Sequence, residues 1–207
     1  MKSWLFYPYA RYLVWREYRQ HHQAKKLQLN LLRKILLQNR SSEYGRRYQF
    51  QENNDIEKYQ KNIPLIHYED ILSYIDKIKQ GQQNILSTNP IVYLLETSGT
   101  SAGSKYIPIT KEGISHQIQA AKKLLCLYTI AKGNAKFITG KMLFLQGSPA
   151  LNHAQAIPSG RLSGIVYHHV PSFFLRNRLP SYDVNIISDW QEKIKAIANE
   201  CIGQNIT

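Results

Sequence analysis

Two apolar runs, Ile91 to Leu95 and Tyr106 to Ile109, flank the string Thr97-Ser98-Gly99-Thr100-Ser101-Ala102-Gly103-Ser104-Lys105, and no other segment constrains the fold as strongly. Short apolar runs bounded by turn residues read as buried strands. Hydroxyl and glycine residues at this density continue neither a strand nor a helix. The chain must therefore present an open turn between two pieces of sheet.

The turn also carries chemistry. Four hydroxyls fall in five positions, at Thr97, Ser98, Thr100 and Ser101. Gly99 and Gly103 let backbone N–H groups approach a ligand closely, and Lys105 adds a positive charge. Donors of this kind suit polyphosphate oxygens and point to ATP. A Walker loop needs four residues between its glycines and a lysine directly after the second. Here three residues separate Gly99 from Gly103 and Ser104 precedes Lys105, so that reading fails. A flexible serine-glycine turn joining two strands is the plain alternative.

The core from Thr97 to Ser101 with its closing lysine resembles the phosphate loop of adenylate-forming enzymes such as acyl-CoA synthetases and luciferase. The longer string Glu96 to Thr110, ETSGTSAGSKYIPIT, is similar to the auxin-responsive acyl-acid amido synthetase family. Further segments follow in the family's order: Tyr44-Gly45-Arg46, Ile63-Pro64-Leu65 with Tyr68-Glu69-Asp70, and Gly81 with Ile85 to Thr88. Downstream come Gly140 to Phe144, Gly160 to Gly164, Leu179-Pro180-Ser181 and Trp190 to Ile197. The resemblance covers the chain from about Gln28 onward.

That resemblance implies an α/β fold: a helical opening region at residues 1–90, then part of an adenylate-forming sheet-and-helix domain with its phosphate loop at residues 91–207. It implies an enzyme that activates a carboxylic acid with ATP and Mg2+ to an acyl-adenylate, then transfers the acyl group to an amine or amino acid. Thr97, Ser98, Gly99, Thr100, Ser101, Gly103 and Lys105 are the implied ATP and phosphate ligands. Family members are much longer than 207 residues. Their adenine, ribose and magnesium motifs lie beyond the position of Thr207, so the chain reads as an N-terminal part, inactive alone and completed by a C-terminal fragment. The acyl pocket is expected to draw on the helix after Thr110, where His116 lies, and on Gly160 to Tyr167. A noncatalytic nucleotide-binding remnant remains the alternative.

Charge raises a third reading. Lysine and arginine number 27 against 14 acidic residues, for a net charge of +13. Such an excess serves nucleic acid, an acidic membrane surface or a polyanionic substrate. Because the basic residues are scattered from Arg11 to Arg47 rather than massed, an ordinary solvated face is favoured over nucleic-acid binding. No stretch approaches the roughly 18 apolar residues of a membrane span. Pro8 and Arg11 interrupt the apolar centre a signal peptide would need, so the N-terminus reads as uncleaved. The two cysteines, Cys126 and Cys201, sit at apolar helical positions as buried reduced thiols, which favours a cytoplasmic location.

Elsewhere, spacing by three and four places Leu29, Leu32, Ile35 and Leu36 on one face of an amphipathic helix over about Arg11 to Asn39. Gly45 supplies a permissive turn after it. A short helix follows near Ile56 to Gln60, then one after Pro64 with Ile71, Leu72, Ile75 and Ile78 on a stripe and Gly81 as its stop. Met142 to Leu145 reads as a third buried strand. The helix after Thr110 is expected to bury Ile114, Ile118, Ala121, Leu125 and Tyr128, and to end at Gly133-Asn134. A last helix, capped by Ser188 with Gln191, is expected to bury Trp190, Ile194, Ile197, Ala198 and Cys201. The seven histidines lack metal-ligand spacing, and Ser98-Gly99 lacks the frame of a nucleophile elbow.

Overall fold

The computed structural model describes residues 3–53, 55–97 and 104–207. Helices dominate, two small sheets are present, and the chain divides into two compact units. One unit comprises Gln20–Lys111 with Asn152–Ser159; the other comprises Met1–Arg19, Glu112–Leu151 and Gly160–Thr207.

The expected long helix is two helices, α1 (Ser3–His21) and α2 (Ala24–Asn39). Their apolar stripes serve different units. Phe6, Ala10 and Leu13 of α1 are buried with Cys126, Ala135 and Ile138, whereas α2 belongs to the other unit and buries Leu36. No single straight helix has to serve both stripes, and the chain turns at His22-Gln23. Pro8 lies inside α1, and an interior proline costs about 3 kcal/mol. The buried side chains on either side of it offset that cost. Ile35 is exposed, contrary to its place on the expected face.

In the unit built on Gln20–Lys111, α3 (Glu43–Arg47) is followed by α4 (Ile56–Asn62), a 3-10 turn at Tyr68–Ile71 and α5 (Leu72–Lys79). Ser42 caps α3 by accepting from Gly45 N–H at 2.9 Å, and Asp55 caps α4 by accepting from Lys58 N–H at 2.8 Å. Gly45 is not the permissive turn residue anticipated. It sits within α3, where a Cβ would lie 2.0 Å from Asn39 O, so close packing rather than backbone freedom demands glycine. Gly81 does stop α5, with φ +87°. Ile75 and Ile78 are fully buried, but Leu72 is exposed.

Two strands follow, β1 (Ile91–Glu96) and β2 (Tyr106–Thr110), paired antiparallel from Ile91 opposite Thr110 to Glu96 opposite Tyr106. A register irregularity between Ile91 and Tyr93 breaks strict alternation, so Ile91 and Leu94 are the buried pair. They join Tyr74, Ile78, Ile85 and Ile157 in one core cluster. Pro108, which has no N–H to give a ladder, lies in β2 at the edge of the sheet. Ile107 is half exposed, so only one face of β2 is buried.

The other unit holds most of α6 (Lys111–Lys132), β3 (Met142–Leu143), α7 (Leu162–Tyr167), β5 (Arg178–Leu179) and α10 (Trp190–Cys201); β4 (Ser159–Gly160), α8 (Ser172–Leu175) and α9 (Tyr182–Asn185) complete the order. Sheet order is β2-β1-β4, with a separate parallel pair β3-β5. The third strand is thus two residues rather than four, and Leu143, Phe144 and Leu145 are exposed, because a pair this short covers little area. On α6 the buried residues are Ile114, Cys126 and Thr129; Ala121 and Tyr128 are exposed. Gly133 ends that helix with φ +67°.

The cap of α10 is Asp189, which accepts from Glu192 N–H at 2.7 Å, rather than Ser188. Its buried residues are Lys193 and Ile197, while Trp190, Ile194 and Ala198 are exposed. Lys193 is tolerated inside because its Nζ donates to Asn185 O at 2.6 Å. Burial pushes its pKa down from the ordinary lysine value, with Arg161 adding to the shift.

Candidate functional site

Of the implied phosphate ligands, Thr97 and Lys105 belong to the described residues; Ser98, Gly99, Thr100, Ser101 and Gly103 lie outside them. Both ends of the turn are joined by the hairpin. Thr97 N–H donates to Lys105 O at 3.0 Å, and Lys105 N–H donates to Thr97 Oγ1 at 3.2 Å. The antiparallel ladder of β1 and β2 thus continues one step past Glu96 and closes the base of the turn. Accepting from Lys105 N–H leaves the Thr97 hydroxyl hydrogen able to donate elsewhere.

Lys105 has acquired neighbours that its sequence position does not reveal. Its Nζ lies 3.2 Å from Glu69 Oε1 and 4.9 Å from the centre of the Tyr68 ring. Tyr68 is itself fixed on β2: its hydroxyl accepts from Tyr106 N–H at 2.8 Å and donates to Tyr106 O at 3.2 Å. One phenol thereby satisfies a donor and an acceptor on an edge strand, where unpaired backbone groups would otherwise face outward. The 3-10 turn that carries Tyr68 and Glu69 is fixed by Asp70, whose carboxylate accepts from His67 N–H at 2.7 Å. Glu69 is held below the usual carboxylate range, first by its own backbone N–H and then by Lys105. Both partners are well exposed, and solvent screens such a pair so that it contributes little. A more highly charged anion at the turn would displace Glu69 at little cost.

The sheet behind the turn is polar at one further point. Ser159, buried on β4, donates its hydroxyl to Glu96 Oε1 at 2.6 Å, securing the residue just before Thr97. Tyr106 also receives Lys79, whose Nζ lies 4.4 Å from its ring centre. His116 is exposed on α6, and the stretch from Gly160 to Tyr167 runs from the end of β4 through Arg161, the N-cap, into α7. An open depression at the end of α2, lined by Lys34, Leu37, Gln38, Arg40, Ser41 and Thr88, includes none of the described turn residues.

Sequence reasoning placed Tyr68, Glu69 and Asp70 among the family-like segments without linking them to Lys105. Their separation of 36 residues carries no periodic signal. Among the described residues there is no group of three histidine, cysteine or acidic side chains suited to a metal ion.

Comparison with known proteins supplies the remaining findings. A profile of the GH3 family N-terminal domain matches residues 18–196. The indole-3-acetic acid-amido synthetase GH3.15 of Arabidopsis thaliana is 40% identical over 97 residues, a stretch covering 46% of this chain and 16% of that protein. The 4-substituted benzoates-glutamate ligase GH3.12 of the same plant is 37% identical over 83 residues, covering 40% of this chain and 14% of the ligase. In three dimensions the chain is similar to the AtGH3.15 acyl acid amido synthetase solved in complex with 2,4-DB, with a TM-score of 0.65 and 26% identity over 77% of this chain and 29% of that one. The aligned stretches therefore span less than a third of each of these relatives.

Proposed function

The chain belongs to the GH3 family through its N-terminal domain, and from that premise we propose that it is the phosphate-binding part of an acyl-acid amido synthetase. In this reading the whole enzyme joins a small carboxylic acid to an amine or amino acid, using ATP to convert the acid to an acyl-adenylate. ATP supplies the leaving group that makes the carboxyl carbon reactive. The contribution of this chain is positional and electrostatic: hydroxyls of Thr97, Ser98, Thr100 and Ser101, backbone N–H groups at Gly99 and Gly103, and the Lys105 ammonium hold the polyphosphate for in-line attack.

The observation that carries the reading is the closed base of the turn between β1 and β2, with Lys105 beside it in an exchangeable pair with Glu69. That base fixes Thr97 and Lys105 at the two ends of the turn. The donor set fits a phosphate chain: the Thr97 hydroxyl keeps a hydrogen to give, and Lys105 is released at small cost. No described residue is assigned to magnesium.

The test is ATP–pyrophosphate exchange by the chain supplied with a polypeptide spanning the rest of the family's length, joined or in trans. A Ser98→Ala, Thr100→Ala double variant should exchange at least about 100-fold more slowly, since removing one such donor typically costs about 2.7–4 kcal/mol. Wild-type rates from that variant would sink the assignment.

A further inference from the structure

A second constellation lies entirely within the unit that carries β3, α7 and β5. Met142, Phe144 and Gln146 occupy alternate positions of the stretch that begins with β3. β5 pairs with that stretch in parallel, Met142 opposite Arg178, and Phe144 N–H donates to Leu179 O at 2.8 Å. The Arg178 guanidinium reaches both Phe144 and Gln146. It lies 4.8 Å from the centre of the Phe144 ring and 5.0 Å from that of Tyr167, the last residue of α7. An Nη2 hydrogen is donated to Gln146 Oε1. Phe144 and Gln146 lie beyond the carboxyl end of β3, the side of a parallel pair at which ligands gather in α/β sheets.

This arginine is not built as a structural one. No carboxylate pairs with it among the described residues. Its Nε–H is buried without a protein acceptor, and the amide nitrogen of Gln146 is buried without one too. Turning the Gln146 amide over would aim its NH2 at the guanidinium, so the amide oxygen is the atom that faces Arg178. Burial holds the guanidinium below its ordinary pKa, with Tyr167 acting in the opposite direction. The two rings crowd the guanidinium, and the open donors call for an acceptor-only partner lying in its plane. A carboxylate is planar, bears charge, and matches the fork of an arginine.

We propose that Arg178 and Gln146, walled by Phe144 and Tyr167, form a binding subsite for the carboxylate of a small organic acid. In the reaction proposed above two species bear one, the acid to be activated and the amino-acid acceptor. A carboxylate gripped at both oxygens is a weakened nucleophile, so the acceptor's carboxylate, which takes no part in bond making, is the assigned occupant. The inference rests on that reaction only for naming the bearers. Its test uses neither ATP nor turnover, so the two readings fail separately.

The 207-residue chain is titrated with sodium L-glutamate, sodium benzoate and sodium phosphate at constant ionic strength, with sodium chloride as the blank. Arginine Nε–H resonances are followed by NMR, that of Arg178 being the one missing from Arg178→Lys. Glutamate should shift it saturably, with phosphate needing at least tenfold higher concentration. Gln146→Leu, which keeps side-chain bulk and removes the amide, should weaken the glutamate response at least tenfold. A stronger response to benzoate than to glutamate supports the subsite and overturns its assignment to the acceptor. Phosphate acting as strongly as either carboxylate, a shift that follows chloride, or no saturable shift overturns the proposal. If Arg178→Lys loses its native spectrum, through-bond assignment of the wild type and the Gln146→Leu titration decide the outcome alone.

Discussion

At the scale of single residues, Glu69 and Gly45 show how contact gives a side chain a role that its type does not. Glu69 has a folded pKa below the ordinary carboxylate range, so its favourable contribution is present above the unfolded pKa and is lost as pH falls through the lower, folded one. A carbon-13 NMR titration should therefore find the Glu69 midpoint below the usual glutamate range. In Lys105→Met the midpoint should rise yet stay depressed, because the larger cause, the residue's own backbone N–H, survives the change. An unchanged midpoint would mean that the pair does not form in solution. For Gly45→Ala the added methyl meets backbone, Asn39 O at 2.0 Å, which no rotamer relieves. Urea unfolding should show a loss at the upper end of about 1–3 kcal/mol, the usual range for overpacking. Glycine at 45 was visible in the sequence; its reason was not, because the obstructing carbonyl belongs to the end of another helix.

At the scale of elements, stability comes from a few buried stripes, while the ionic contacts between elements are weak. Leu94 is wholly buried on β1 within the cluster that includes Ile78 and Ile157. Leu94→Ala should cost about 2–5 kcal/mol in the denaturation midpoint multiplied by its slope. By contrast Glu17 of α1 receives Lys123 of α6 at 2.9 Å, and that hydrogen bond is the main cause of its lowered pKa. Both side chains are more than a third exposed, so Glu17→Gln should cost under about 1 kcal/mol, and less at high salt. The local patterns located α4, α5, β1, β2, α6 and α10 closely, since each has a short-range cause in spacing, caps or glycine stops. They picked out Ile75, Ile78, Ile114 and Ile197 as buried but misplaced part of each face on α6 and α10. Tyr128, Trp190 and Ile194 have the right type and nearly the right spacing, yet they are exposed, whereas Thr129 and Lys193 are buried. Thr129 is tolerated inside because its hydroxyl donates to Leu125 O at 2.8 Å, and Lys193 because Asn185 O receives its ammonium.

For the whole molecule, the proposed phosphate turn would grip only a small part of a nucleotide. Contacts to the phosphates alone leave adenine and ribose in water, and the ordering costs of binding are then met by few interactions. Calorimetric titration of the chain alone with ATP should show binding no tighter than the millimolar range, and pyrophosphate exchange should stay at background until the rest of the family's length is supplied. Tight binding by the chain alone would favour a self-sufficient nucleotide-binding module instead. None of the described helices is long and apolar enough to cross a membrane. What the sequence determined by itself was local: the turn with its hydroxyls and lysine, the strands on either side, the helix stops, and the family to which these belong in order. Those features depend on neighbours within a few residues, where propensity and spacing act. Tertiary structure alone decided that one helical segment becomes two, that Tyr68 and Glu69 meet Lys105, and that Arg178 lies among Phe144, Gln146 and Tyr167. Each of those joins residues far apart in the chain, and such contacts are set by packing, which leaves no periodic trace in either partner's surroundings.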